Sequence, residues 1–129
     1  MSEQPAVTAQ TQVPAFTEAK DAAEFVSAVK SALAGQRSAL TGRLAQAASI
    51  ASLLLQHLQF VARIVLAAWR LCIGDQAGVA LAATGGYGRG ELYPHSDIDI
   101  LVCADEHVQA GIEEDVGRFF SLLWDSGLK

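Results

Sequence analysis

Asp97 and Asp99 are separated by a single residue, Ile98, and lead into a run of branched apolar side chains that ends at Cys103. Residues 98–103 therefore read as a β-strand. Alternate side chains of a strand share a face, so the two carboxylates meet at one spot while Ile98 and Ile100 turn toward a core. Like charges that close repel and raise one another's pKa unless a cation lies between them. Hard carboxylate oxygens suit Mg²⁺, which commonly takes one or two carboxylates together with substrate phosphates. The pair thus reads as a metal site, able to orient a triphosphate and to neutralise charge on a leaving pyrophosphate.

Gly85 and Gly86 provide the other half. They follow the short apolar run 79–84, itself a strand by length and composition, and they open a short helical turn. Backbone N–H groups without a side chain in the way can approach phosphate oxygens there. Arg89 is placed either to add a charged contact to the phosphates or to pair with Glu91. Ser96 either bonds a phosphate or shapes the turn beside Asp97.

Each of these features taken singly has an ordinary structural explanation: polar residues on the solvent face of a strand, or a glycine-rich loop. Their order, strand, Gly-Gly, short helix, carboxylate pair on a second strand, is what points to function. Other phosphate loops fit worse. A P-loop needs Lys and Ser/Thr after its last glycine, whereas Glu91 and Leu92 follow Gly90. Gly86, Gly88 and Gly90 do not complete G-x-G-x-x-G either. His95, a lone histidine in a turn, is assigned a structural role.

The elements that must hold this site follow from periodicity. Residues 1–16 are polar, carry Pro5 and Pro14, and read as a disordered tail without a secretory signal. Order begins near Thr17, taken as a helix cap, and Ala22, Phe25, Val26, Val29 and Leu33 line one face of a helix that Gly35 is expected to stop. A second helical stripe runs from Leu40 to Cys72, roughly 50 Å if unbroken, with its first turns weakened by Gly42. Its e and g positions carry almost no charge, which favours packing within the chain over a coiled coil. The stretch 50–73 is apolar enough to raise a membrane span, but Gln56, His57, Gln59, Arg63 and Arg70 interrupt it, and it reads as a buried helix. The turn-rich break 74–78 precedes the site, and residues 112–124 form a last amphipathic helix ended by Ser126-Gly127. This gives an α+β chain divided into a tail (1–16), a helical region (17–74) and a strand-turn-helix-strand portion (75–129).

Composition narrows the partners. With 129 residues, 51% hydrophobic content and a net charge of -5, the chain has the profile of one small globular core. The acidic balance, with no Lys/Arg run, argues against nucleic acid held by counterion release. Cys72 and Cys103 suggest neither a disulfide framework nor a zinc spacing, so a reducing, cytoplasmic setting without a membrane is expected.

The block from Gly85 to Asp99, Gly-Gly-Tyr-Gly-Arg-Gly-Glu-Leu-Tyr-Pro-His-Ser-Asp-Ile-Asp, resembles the signature of the DNA polymerase beta-type nucleotidyltransferases, and more narrowly that of the bacterial protein-PII uridylyltransferase family. The resemblance is specific over about twenty residues and unspecific over the flanking helices. It implies a nucleotidyltransferase core with a mixed sheet, incomplete at its C-terminal end, and transfer of UMP from UTP to a tyrosine of the PII signal protein. It also implies Mg²⁺ on Asp97 and Asp99 as catalytic ligands, nucleotide contacts from Gly85, Gly86, Arg89 and Ser96, and further hydrolase and glutamine-sensing domains outside this chain.

That family further calls for an acidic residue from a later strand. Asp105 and Glu106 do not supply it, because six extended residues separate Asp105 from Asp99 by roughly 20 Å, against ~4 Å between the metals of such a site. Asp125 stands at the end of the last helix. The site is therefore expected to be unfinished, with weak or absent activity in the isolated chain. Two alternatives stay open: a non-catalytic remnant that binds nucleotide or a partner, and a nucleotidyltransferase with another acceptor.

Overall fold

A computed structural model describes residues 14–45, 50–88 and 98–128. A 3-10 turn, Ala15–Glu18, leads into α1 (Ala22–Ala45) and α2 (Ile50–Cys72); then come β1 (Val79–Ala83), the one-turn helix α3 (Gly85–Gly88), β2 (Ile100–Ala104) and α4 (Glu106–Asp125). The α+β expectation holds. Among the described residues the sheet is the single antiparallel pair β1–β2, where the resemblance led to the expectation of a mixed sheet.

The stripe read as one helix from Leu40 to Cys72 is divided, residues 40–45 belonging to α1 and 50–72 forming α2. Three further boundaries differ from the sequence reading, each for a local reason. The cap of α1 is Asp21, not Thr17: the Asp21 carboxylate accepts the Glu24 amide at 2.8 Å and its carbonyl accepts the Phe25 amide at 3.0 Å. Thr17 instead donates its hydroxyl to the Pro14 carbonyl at 2.6 Å. Gly35 does not stop α1, which continues to Ala45. A glycine inside a helix costs only about 1 kcal/mol relative to alanine, too little to end a helix packed on one face. The last helix begins at Glu106, six residues before the expected start at 112, because Asp105 takes the entry position and its carbonyl accepts the Val108 and Gln109 amides. Residues 106–111 contain only Val108 as a large apolar group, so hydrophobic periodicity is silent there.

The core is helical, and the sheet lies on it. Leu53, His57, Val61, Ile64, Val65, Ala67 and Ala68 form the buried stripe of α2, a helix that is long and apolar enough to cross a membrane by length and composition. Its stripe meets Phe25 and Val29 of α1 and Phe119, Leu122 and Leu123 of α4. Phe16, expected in the tail, is buried and packs edge-on against Phe25 and Phe60 at centroid distances of 6.4 and 6.2 Å. The rest of that expected tail, residues 1–13, lies outside the described residues.

The sheet contributes one face to this core. Leu81 of β1 and Ile98, Ile100 and Val102 at β2 pack against the helices, while the alternate residues Asp99, Leu101 and Cys103 are exposed. That alternation is the period-two pattern read from the sequence.

Candidate active site

The register of the two strands determines which residues share the upper end of the sheet. Val79 pairs with Ala104 and Ala83 with Ile100. One step further the Thr84 amide donates to the Asp99 carbonyl at 2.8 Å. Asp99 therefore sits directly opposite the residue before the glycine turn. At the other end of the ladder the Asp105 amide donates to the Gly78 carbonyl at 2.9 Å, which separates Asp105 from Asp99 by the full length of β2, as the sequence reading required.

Two glycines make the close approach possible. Gly85 has φ +58°, and a Cβ built on it would lie 2.6 Å from Oδ2 of Asp99. A side chain at 85 would meet both left-handed backbone strain and the carboxylate itself. Gly88 closes α3 by donating its amide to the Thr84 carbonyl at 2.9 Å. A Cβ there would come 2.7 Å from the Ala83 carbonyl oxygen. Gly88 was not singled out from the sequence, because the close approach arises where the chain folds back onto the end of β1 rather than from residue spacing.

Among the sequence-derived candidates, Asp99, Gly85 and Gly86 fall within the described residues, and the structure brings Asp99 against the Gly85 turn. Asp97, Arg89 and Ser96 lie outside them, as does His95. The Asp99 side chain is exposed and engaged in no hydrogen bond or ion pair among the described residues. An exposed, uncommitted carboxylate beside bare backbone is a donor set that fits a hard cation and its phosphate ligand. Among the described residues no group of three or more His, Cys, Asp or Glu side chains converges on a metal position.

A cavity of about 780 Å³ opens from this end of the sheet, with Thr84 and Asp99 at one side and Ile98, Ile100, Phe120 and Trp124 among its walls. Its far wall is positioned by the end of α4. The Gly127 amide donates to the Trp124 carbonyl and the Leu128 amide to the Leu123 carbonyl, each at 3.0 Å, with Gly127 at φ +103°. This is the Schellman pattern, and it turns Leu128 back into the core.

Similarity to known proteins covers the segment that carries the strand, glycine turn and carboxylate. Residues 69–126 match the model of the nucleotidyltransferase domain family. The chain carries a nucleotidyltransferase domain. It is 40% identical over 105 residues to a bifunctional uridylyltransferase/uridylyl-removing enzyme of Pseudomonas aeruginosa, covering 81% of this chain and 12% of that protein. A protein of the same name from Xanthomonas oryzae is 43% identical over 89 residues, covering 69% of this chain and 10% of that one. The one from Stutzerimonas stutzeri is 41% identical over 105 residues, again 81% and 12%. The chain thus spans about an eighth of the length of these relatives. No solved structure matches it. The matched segment begins at Trp69, in the last turn of α2, and runs through α4, so it contains the site while α1 and residues 50–68 of α2 lie outside it.

Proposed function

We propose that this nucleotidyltransferase domain uses UTP as donor and a tyrosine of the PII nitrogen-regulatory protein as acceptor, the reaction implied by the resemblance of the Gly85–Asp99 block. The observation that carries the reading is the contact of Asp99 with Gly85, which places a free carboxylate beside an N–H-lined turn. The names of the relatives support uridylyl as the transferred group.

In this reading the amides of Gly85 and Gly86, with Arg89 and Ser96, hold the triphosphate. Asp97 and Asp99 would hold Mg²⁺, which when bound supplies charge neutralisation for the triphosphate and the departing pyrophosphate. The tyrosine hydroxyl oxygen forms a bond to the α-phosphorus as the bond to the β-phosphate bridging oxygen breaks. Pyrophosphate leaves with the electron pair, and the phenol proton passes to water. The chain's own residues contribute positioning and electrostatic stabilisation, the main devices in phosphoryl-type transfer.

The test is transfer of labelled UMP from UTP to PII, together with Mg²⁺-dependent UTP binding, in the chain and in Asp97→Asn and Asp99→Asn variants. Binding that depends on both aspartates supports the site, and unchanged binding in the variants removes it. Because Asp105 stands a full strand length from Asp99 and cannot supply a further carboxylate, the isolated chain is expected to bind UTP and to transfer UMP slowly. Saturable binding with no transfer to any acceptor would favour a binding remnant, and labelling of a different acceptor a nucleotidyltransferase of other specificity.

A further inference from the structure

A triphosphate held at Gly85 and Asp99 leaves the nucleoside half of the donor to be placed. The cavity that includes Thr84 and Asp99 has a volume of about 780 Å³, within the roughly 300–1,000 Å³ span of small-molecule sites. Its lining joins two chemistries. Thr84 and Asp99 belong to the strand ends at the glycine turn, with Ile98 and Ile100 flanking Asp99, whereas Phe120, Leu123 and Trp124 of α4 supply apolar and aromatic lining. Trp124, on the last turn of α4, is 70% exposed, unlike Phe119, which is fully buried one turn earlier.

A large indole left in solvent beside a charged turn has no part in the core. Indole faces stack on nucleobases with little dependence on base identity, because every base offers a π-face. A ligand that fits this cavity is anionic at one end and flat and apolar at the other, which is the form of a nucleoside triphosphate. Another cavity, lined by Lys20, Asp21, Glu114, Arg118 and Asp125 among others, does not include Asp99 and has no aromatic lining.

We propose that the cavity between β2 and the end of α4 receives the nucleoside of the donor nucleotide, with the base stacked on Trp124. This rests on the reading of Gly85 and Asp99 as the phosphate end. Trp124 is then a binding residue that favours nucleotides over bare polyphosphate, with weak discrimination among bases.

The chain is titrated with UTP and with tripolyphosphate in the presence of Mg²⁺, followed by calorimetry and tryptophan fluorescence, as wild type, Trp124→Ala and Trp124→Phe. Trp69 stacks edge-on against Phe119 at 5.3 Å and serves as a constant background. UTP is expected to quench the wild-type emission, Trp124→Ala to weaken UTP binding about tenfold, and Trp124→Phe to retain most of it. Tripolyphosphate affinity is expected to be equal in all three, since the substituted ring is exposed and lies outside the glycine turn. Equal UTP affinity in Trp124→Ala and wild type, with tripolyphosphate still bound, overturns the cavity and leaves the phosphate site standing. Failure of the wild-type chain to bind either ligand overturns both together.

Discussion

Gly85 is where backbone conformation and site chemistry meet in one residue. Its positive φ disfavours an L side chain, and the position a Cβ would take is 2.6 Å from the Asp99 carboxylate oxygen. Gly85→Ala is therefore expected to lower stability by about 1–3 kcal/mol and to displace Asp99 from the turn. Urea unfolding measures the first effect, and Mg²⁺-dependent UTP titration at a urea-free, fully folded condition measures the second. Asp99→Asn separates the two, because an exposed carboxylate with no partner among the described residues contributes little to folding. Its unfolding midpoint should match wild type while UTP binding is lost; a midpoint lowered as far as in Gly85→Ala would make Asp99 structural. Much of this was legible in the sequence, since Asp-Ile-Asp before a branched run fixes the face of Asp99, and Gly-Gly after a strand fixes the turn. The requirement for Gly88 was not, because it arises from the Ala83 carbonyl across the turn, a contact set by chain reversal rather than by residue spacing. The neighbouring chemistry of Cys72 is of another kind. Burial pushes its thiol above the ordinary value, opposed by Arg118 and assisted by Asp115. A raised folded pKa means that stability is full below the unfolded value and falls as pH rises past it. The urea midpoint of wild type should accordingly decline at alkaline pH more than that of Cys72→Ala, and parallel declines would remove the assignment.

At the scale of elements, the ends of the helices were harder to read than their faces. The apolar stripe of α2 is visible as periodicity at Val61, Val65 and Ala68, whereas in its first turns the buried positions are Leu53 and His57 rather than the expected Leu54 and Leu58, which are only partly buried. By contrast, the sequence reading places the cap of α1 at Thr17, whereas the Asp21 carboxylate takes that place by accepting the Glu24 amide. Gly35 illustrates the converse: a breaker residue does not end the helix, whose packed face before it carries Val29 and Leu33. The C-terminal end of α4 was called correctly at Ser126-Gly127, because a glycine after an amphipathic run is the ordinary C′ residue. Its consequence for the site is positional. Gly127 at φ +103° returns Leu128 to the core and fixes the last turn that carries Trp124 beside the cavity. Gly127→Ala is expected to cost about 1 kcal/mol or somewhat more, read as a lower urea midpoint with an unchanged slope. Asp21→Ala should cost about 1 kcal/mol by loss of the cap, at the opposite end of the fold from the site. If helix ends act on function only through position, UTP affinity under folding conditions should change in Gly127→Ala and stay constant in Asp21→Ala. Equal changes in both would mean that the site responds to overall stability instead.

At the scale of the whole molecule, the site stands on a sheet that among the described residues has two five-residue strands. Such a pair is marginal in water by itself and needs a packed layer beneath it. Here that layer is helical, and Leu81, Ile98, Ile100 and Val102 attach the strands to it. The chemistry of Asp99 therefore depends on apolar residues far from it in sequence, and Phe16 is the sharpest case. It is buried near the N-terminal end, in contact with Phe25 and Phe60, and shares no element with the site. Phe16→Ala removes a fully enclosed ring and should cost about 3–5 kcal/mol, a large part of the 5–15 kcal/mol that holds a typical domain together. If helices and sheet fold as one unit, hydrogen exchange of the β2 amides at Leu101 and Cys103 that are held in the ladder should accelerate by the same factor as that of the Ile64 and Val65 amides of α2. UTP binding would then fall only by the fraction of chains unfolded, and recover on adding a stabilising osmolyte. Retained protection in β2 alongside lost protection in α2 would mean that the strand pair and its glycine turn hold together without the helical layer, contrary to the packing that attaches them.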